Sequence, residues 1–102
     1  MNRTALEKML AAGTDNAMLR YTLGLVCFKE KDYPSASEHL KEALEQDQNH
    51  SASWKIYGKT LAALDKTEEA IEIYEKGIAI AESKGDIQAA KEMKVFLKRM
   101  KK

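Results

Sequence analysis

The sequence predicts an all-α protein, a stack of antiparallel helix hairpins with about six helices, and two observations predict it. The first is composition. Among 102 residues there are one proline and five glycines, so helices can run with few breakers. The second is internal repetition. A shift of 34 residues places Gly24 on Gly58, Ala36 on Ala70, Leu40 on Tyr74, Ala43 on Gly77 and Leu44 on Ile78. Small residues fall on small and large apolar residues on large, at the period of a stacked helix pair. Two helix backbones can approach closely only where side chains are small. A mid-helix glycine costs about 1 kcal/mol relative to alanine, so Gly24 and Gly58 are read as packing contacts. The length suits one domain, residues 1–102.

Each helix follows from local chemistry. The same shift puts Leu6 on Leu40, Met9 on Ala43 and Leu10 on Leu44, so residues 3–12 read as the second helix of a half repeat. Asp15 or Asn16 can cap a helix from about Ala17 to Lys31, because a short polar side chain accepts from unpaired backbone N–H groups. Its partner follows Asp32, with Pro34 in the first turn, where a missing N–H costs little, and ends near Asp47. These two helices form a first repeat, residues 17–50.

Ser51 can cap the next helix, about Ala52 to Leu64. Thr67, followed by Glu68 and Glu69, starts another with acidic groups at its positive end, and Gly85 closes it. Residues 51–84 are the second repeat. Asp86 opens a last helix, about Ile87 to Lys101 within the unit 86–101. One face carries Ile87, Ala90, Met93, Leu97 and Met100 at spacings of three and four. Glu92 falls in the small-residue slot, so this helix reads as a cap with a polar outer face.

The repeat units resemble the tetratricopeptide repeat (TPR) family, whose pattern is W-x2-L-G-x2-Y, then A-x3-F, then P. The first unit has Leu23-Gly24, Cys27 in the tyrosine slot, and Ala36 with Leu40. Arg20 takes its tryptophan slot and Gln48 its proline slot. The second keeps Trp54 and Gly58, has Tyr57 and Leu61 in the leucine and tyrosine slots, then Ala70 and Tyr74, with Glu82 for proline.

The resemblance implies a right-handed solenoid in which the first helices of successive repeats line a concave groove for a peptide or protein segment. Carried over slot by slot, the groove residues are Met18, Tyr21, Leu25, Phe28 and Lys29, then Ala52, Lys55, Lys59, Ala62 and Ala63. With Leu19, Leu23, Val26 and Cys27 buried, Tyr21, Leu25 and Phe28 would form an exposed apolar strip. Lys55 and Lys59, one turn apart, could bind a ligand carboxylate. Chaperone-binding members hold a C-terminal carboxylate with Lys and Asn on the first groove helix, Asn on the second, and Lys and Arg on the third. Those slots hold Tyr21, Leu25, Ile56, Asp86 and Ala90 here, so a chaperone tail is not the expected partner.

The remaining sequence narrows the function classes. Net charge is +1, which gives no global attraction to nucleic acid or an anionic membrane. Residues 91–102 nonetheless carry six positive charges and one negative. Their Lys91, Lys94, Lys98, Arg99, Lys101 and Lys102 could serve a dipole-stabilising role or bind an acidic partner or nucleic acid weakly.

Cys27 is the only cysteine, which rules out an internal disulfide and fits a reducing, cytoplasmic setting. Its slot is a packing slot, so a buried, inert thiol is expected. His39 and His50 are eleven residues apart and lack metal-ligand spacing. No phosphate loop or nucleophile motif is present, so neither cofactor nor metal nor enzymatic activity is expected. No run reaches membrane-spanning length, and Glu7 and Lys8 interrupt any signal-like core. The expectation is a non-catalytic adaptor or scaffold that binds a protein segment. The alternative is a self-assembling subunit that uses the incomplete N-terminal repeat as a docking edge.

Overall fold

The computed structural model describes residues 2–101, which form six helices: α1 (Arg3–Ala11), α2 (Ala17–Lys29), α3 (Tyr33–Gln46), α4 (Ser51–Ala63), α5 (Thr67–Lys84) and α6 (Ile87–Met100). Lys102, the last residue of the basic tail, lies outside the described residues.

Four helices begin on a side-chain cap. Asn2, Asn16, Asp32 and Asp86 accept from the backbone N–H of Ala5, Leu19, Ser35 and Ala89. Asn16 therefore caps α2, while Asp15 binds Arg20 and Gln46 instead. Ser51 does not cap α4. It is the first helical residue, His50 takes the N-cap position, and the buried Ser51 hydroxyl finds no partner among the described residues. The His50 carbonyl accepts from the Ser53 N–H, which starts the helix one residue earlier than expected.

Helix α2 stops at Lys29, short of Lys31, because Lys31 is left-handed with φ 65°. Asp65, one period later, has φ 60°. Each turn closes on the same hydrogen bond, from Asp32 N–H to Cys27 O and from Lys66 N–H to Leu61 O, both at 2.9 Å. The repeat is thus written into the backbone as well as the side chains.

Consecutive helices pack on one another, α2 also meets α4, and α4 also meets α6, whereas α3 and α5 do not meet. The even-numbered helices therefore form the inner, crowded side of a curved stack measuring 42 × 29 × 20 Å. Close approach within each hairpin depends on glycine. A Cβ on Gly24 would lie 2.5 Å from Leu40 Cγ, and one on Gly58 would collide with the Tyr74 ring. Gly77 is a third such contact, between α5 and its neighbours, where a Cβ would come 2.7 Å from both Met93 Sδ and Trp54 Cβ.

The period changes at α6. Helix α5 has 18 residues against 14 in α3, and its extra turn ends at Gly85, whose φ of 80° suits glycine. Leu40 and Tyr74 are 34 residues apart, but Ile56, which packs with Leu40, and Met93, which packs with Tyr74, are 37 apart. Two expectations are corrected in α6, the second of them by this slip of three residues. Ile87 is not on the buried face but 58% exposed, with Ala89 buried beside Ala90 and Met93. Glu92 does not occupy the small-residue slot; its carboxylate turns toward α4 and pairs with Lys55.

Candidate partner-binding groove

Helices α2, α4 and α6 bring three rows of side chains to the inner face. By the offsets just described, the first row is Tyr21, Lys55 and Glu92, the second is Leu25, Lys59 and Phe96, and the third is Phe28, Ala62 and Arg99. The first row is tied by Lys55 Nζ, 3.2 Å from Glu92 Oε1. In the second, the Lys59 ammonium lies 5.3 Å from the centre of the Phe96 ring and 5.4 Å from that of Phe28. Each such contact is worth about 0.5–1 kcal/mol at a partly exposed site. Lys55 and Lys59 are therefore not a matched pair facing one ligand. One already holds a carboxylate, and the other sits between two aromatic rings.

The expected exposed strip is half-buried. Tyr21, Leu25 and Phe28 pack against the cluster of Cys27, Ala36, Leu40 and Ile56, and so help seat α2 on α4. Tyr21 also meets the His50 ring edge-on at 4.7 Å, and Phe28 meets Tyr33 at 5.5 Å. Met18 lies apart from these residues. It is exposed at the α1 end, in a pocket shared with Met9, Thr14 and Thr22. Lys29 and Ala63 are exposed at the ends of α2 and α4, and Ala52 is half-buried.

On the inner face is an open depression of about 420 Å³ lined by Phe28, Lys59, Ala62, Tyr74, Phe96, Arg99 and Met100. Burial pushes the Tyr74 phenol up to about 12, so it stays neutral. Arg99 escapes a fixed period, because carrying the slots of Lys59 and Ala62 forward by 34 residues lands on Met93 and Phe96; Phe96 is reached, but in the slot of Ala62 and not that of Lys59. The extra turn of α5 moves those slots to Phe96 and Arg99. The chaperone clamp is missing in either register. Ile56 and Ala90 are buried, Asp86 caps α6, and the slip replaces Asp86 and Ala90 by the uncharged Ala89 and Met93.

Other candidates have structural partners. Cys27 is fully buried, and loss of solvation pushes its thiol up. Among the described residues no cluster could hold a metal ion, and no helix is long and apolar enough to cross a membrane. In the tail, Lys94 pairs with Glu82 and Lys101 with Glu75.

Burial holds His39 below its ordinary pKa, assisted by Arg20, whose Nη1 is 3.2 Å from His39 Nδ1. Burial likewise lowers His50, with Lys84 adding to the effect and Asp47 opposing it. A lowered folded-state pKa means that the unfolded chain takes up protons first. The stabilisation is complete above about pH 6.5 and is lost as pH falls below that value. The melting temperature should therefore drop by a few degrees between pH 7.5 and 5.5, and the double variant His39→Gln/His50→Gln should flatten the curve. An unchanged melting temperature in the native chain would show that both rings are freely solvated.

The geometry defines a helical-repeat protein with an open inner face. The family model for anaphase-promoting complex, cyclosome, subunit 3, of TPR type, matches residues 4–77. The chain is 46% identical over 95 residues to the TPR repeat-containing protein PA0015 of Pseudomonas aeruginosa, spanning 93% of this chain and 90% of that one. The solution structure of protein BPP2914 from Bordetella parapertussis superposes with a TM-score of 0.86 at 42% identity, over 98% of this chain and 87% of that chain. The second TPR domain of human RPAP3, solved with the HSP70 peptide SGPTIEEVD, shares the fold at 24% identity and a TM-score of 0.79, over 98% of this chain and 78% of that chain. The chain belongs to the tetratricopeptide repeat family. Such domains are in general non-enzymatic modules that bind proteins or peptides.

Proposed function

We propose that this chain is a non-catalytic adaptor that holds a segment of a partner protein in the groove of α2, α4 and α6. In this reading a half repeat (3–12) and two repeats (17–50 and 51–84) build the groove. The unit 86–101 closes the stack and supplies the groove's third wall. The observation that carries it is the inner face itself, where the half-buried Phe28, Lys59 and Phe96 and the exposed Arg99, from three helices, line an open depression of about 420 Å³. Aromatic anchors beside a charge are the composition of binding hot spots. The peptide-bound RPAP3 domain supports a peptide as the ligand class, although its peptide is not the expected ligand here, given the clamp slots. A cytoplasmic setting belongs to the same reading, with the free thiol of Cys27 as its support.

The test uses the intact chain as bait. Partners captured by the native protein should be lost by the double variant Phe28→Ala/Phe96→Ala, with its fold checked by circular dichroism. They should be kept by the outer-face control Lys41→Ala/Lys76→Ala. Equal capture by the folded groove variant and the native chain would reject the groove as the binding surface.

A further inference from the structure

Resting on the groove reading above, we infer that the pocket between Phe28, Lys59, Phe96 and Arg99 is a subsite for an acidic side chain of the bound segment, an aspartate or glutamate next to a large apolar residue. The reason is an imbalance of charge. Of the charged residues, only the cations Lys59 and Arg99 line this pocket. Among the described residues neither has a carboxylate within ion-pair distance. Lys55 has Glu92, Lys76 has Glu72, Lys94 has Glu82 and Lys101 has Glu75, whereas Lys84, Lys91 and Lys98, which are exposed and do not line this pocket, are like Lys59 and Arg99 in having none among the described residues. What sets Lys59 and Arg99 apart is their place: among the described residues they are unpaired cations that line one pocket with no anion beside them.

The Lys59 ammonium is also held in place. Ring faces at 5.3 and 5.4 Å attract it on both sides without neutralising it, so its charge is oriented before any ligand arrives, which lowers the entropic cost of binding. A carboxylate entering between Lys59 and Arg99 gains charge-assisted hydrogen bonds, while Phe28, Phe96, Met100 and Ala62 offer apolar surface for the neighbouring residue.

The depression at Lys94, Leu97, Lys98 and Lys101 is also cationic, but it has no aromatic wall and two of its three lysines already hold carboxylates. The outer one, between α3 and α5, already has Glu45 beside Lys41 and Lys76, and the one at Asp65 to Glu69 is itself acidic. The subsite takes a side-chain carboxylate and not a chain terminus, because the clamp slots hold Tyr21, Leu25, Ile56, Ala89 and Met93, which supply no further cationic or amide donors.

The test is selection of random peptides, displayed through their C-terminal ends so that no free terminal carboxylate is present, on the intact chain. Enriched sequences are expected to share Asp or Glu beside Leu, Ile, Phe or Met. For an amidated synthetic peptide of the winning sequence, fluorescence anisotropy should show about tenfold or greater weakening in Lys59→Met and in Arg99→Gln. Lys59→Arg should retain binding. Changing the peptide's acidic residue to its amide should give the same weakening on the native protein and no further loss on Lys59→Met. Because that arm needs no protein variant, it holds even if a variant misfolds. Enriched peptides that lack acidic residues but are lost on Phe28→Ala/Phe96→Ala would overturn the subsite and leave the groove standing. Peptides indifferent to all these substitutions, or no enrichment at all, would remove the groove reading and the subsite together.

Discussion

Leu40→Ala is expected to lower the unfolding free energy by roughly 2–5 kcal/mol, the range for deleting a buried leucine side chain. Leu40 is fully buried and belongs to the cluster with Cys27, Ala36 and Ile56. It also fills the space over Gly24, where a Cβ would be only 2.5 Å from its Cγ. The cavity left by alanine would lie where α2, α3 and α4 converge, so none of the three can relax into it without abandoning contacts with the others. A domain of this size has about 5–15 kcal/mol in total, so the variant should melt at a clearly lower temperature. Urea denaturation followed by circular dichroism measures the difference. A loss below about 1 kcal/mol would mean that the site collapses freely and that α3 is not seated as described.

Gly58→Ala is expected to cost roughly 1–3 kcal/mol by overpacking, despite alanine being favoured by about 1 kcal/mol in a helix interior. The added methyl would meet the Tyr74 ring, which is rigid, buried and wedged between α4 and α6. A flexible side chain could step aside, but a ring must take α5 with it. Because α5 also carries Gly77 against Met93, the displacement should spread to α6. A neutral or stabilising result in the same denaturation experiment would show that propensity outweighs packing and that the glycine is not a contact residue.

Much of the fold was legible because the repeat is stated redundantly. Gly24 and Gly58, Ala36 and Ala70, and Leu40 and Tyr74 all report the same spacing, and packing demands small against large at those points. Caps were legible where only one short polar residue was available, as at Asp32 and Asp86. They failed at Ser51, where a serine stands at the right place but the His50 carbonyl already starts the helix. The candidate groove was less legible. A fixed period cannot show that α5 runs one turn further, so it misses Arg99 and puts Glu92 in the wrong slot, while a spacing of three and four cannot tell that Ile87, at the start of its helix, faces solvent. Nor does a helix-face pattern say how deep a side chain sits. Tyr21, Leu25 and Phe28 are on the inner face, yet crowding of α2 against α4 covers half of what an isolated helix would expose.

Trp54 lines the outer depression between α3 and α5, donates its Nε1 to Gln48 O in the loop before α4 at 2.7 Å, and packs on the cluster of Tyr74, Ile78 and Met93 without itself lining the pocket bounded by Phe28 and Phe96. As the only tryptophan, it gives the molecule a built-in optical reporter. Its emission reports the integrity of the α4–α5 seam from a single site, so loss of structure there can be followed without an added label.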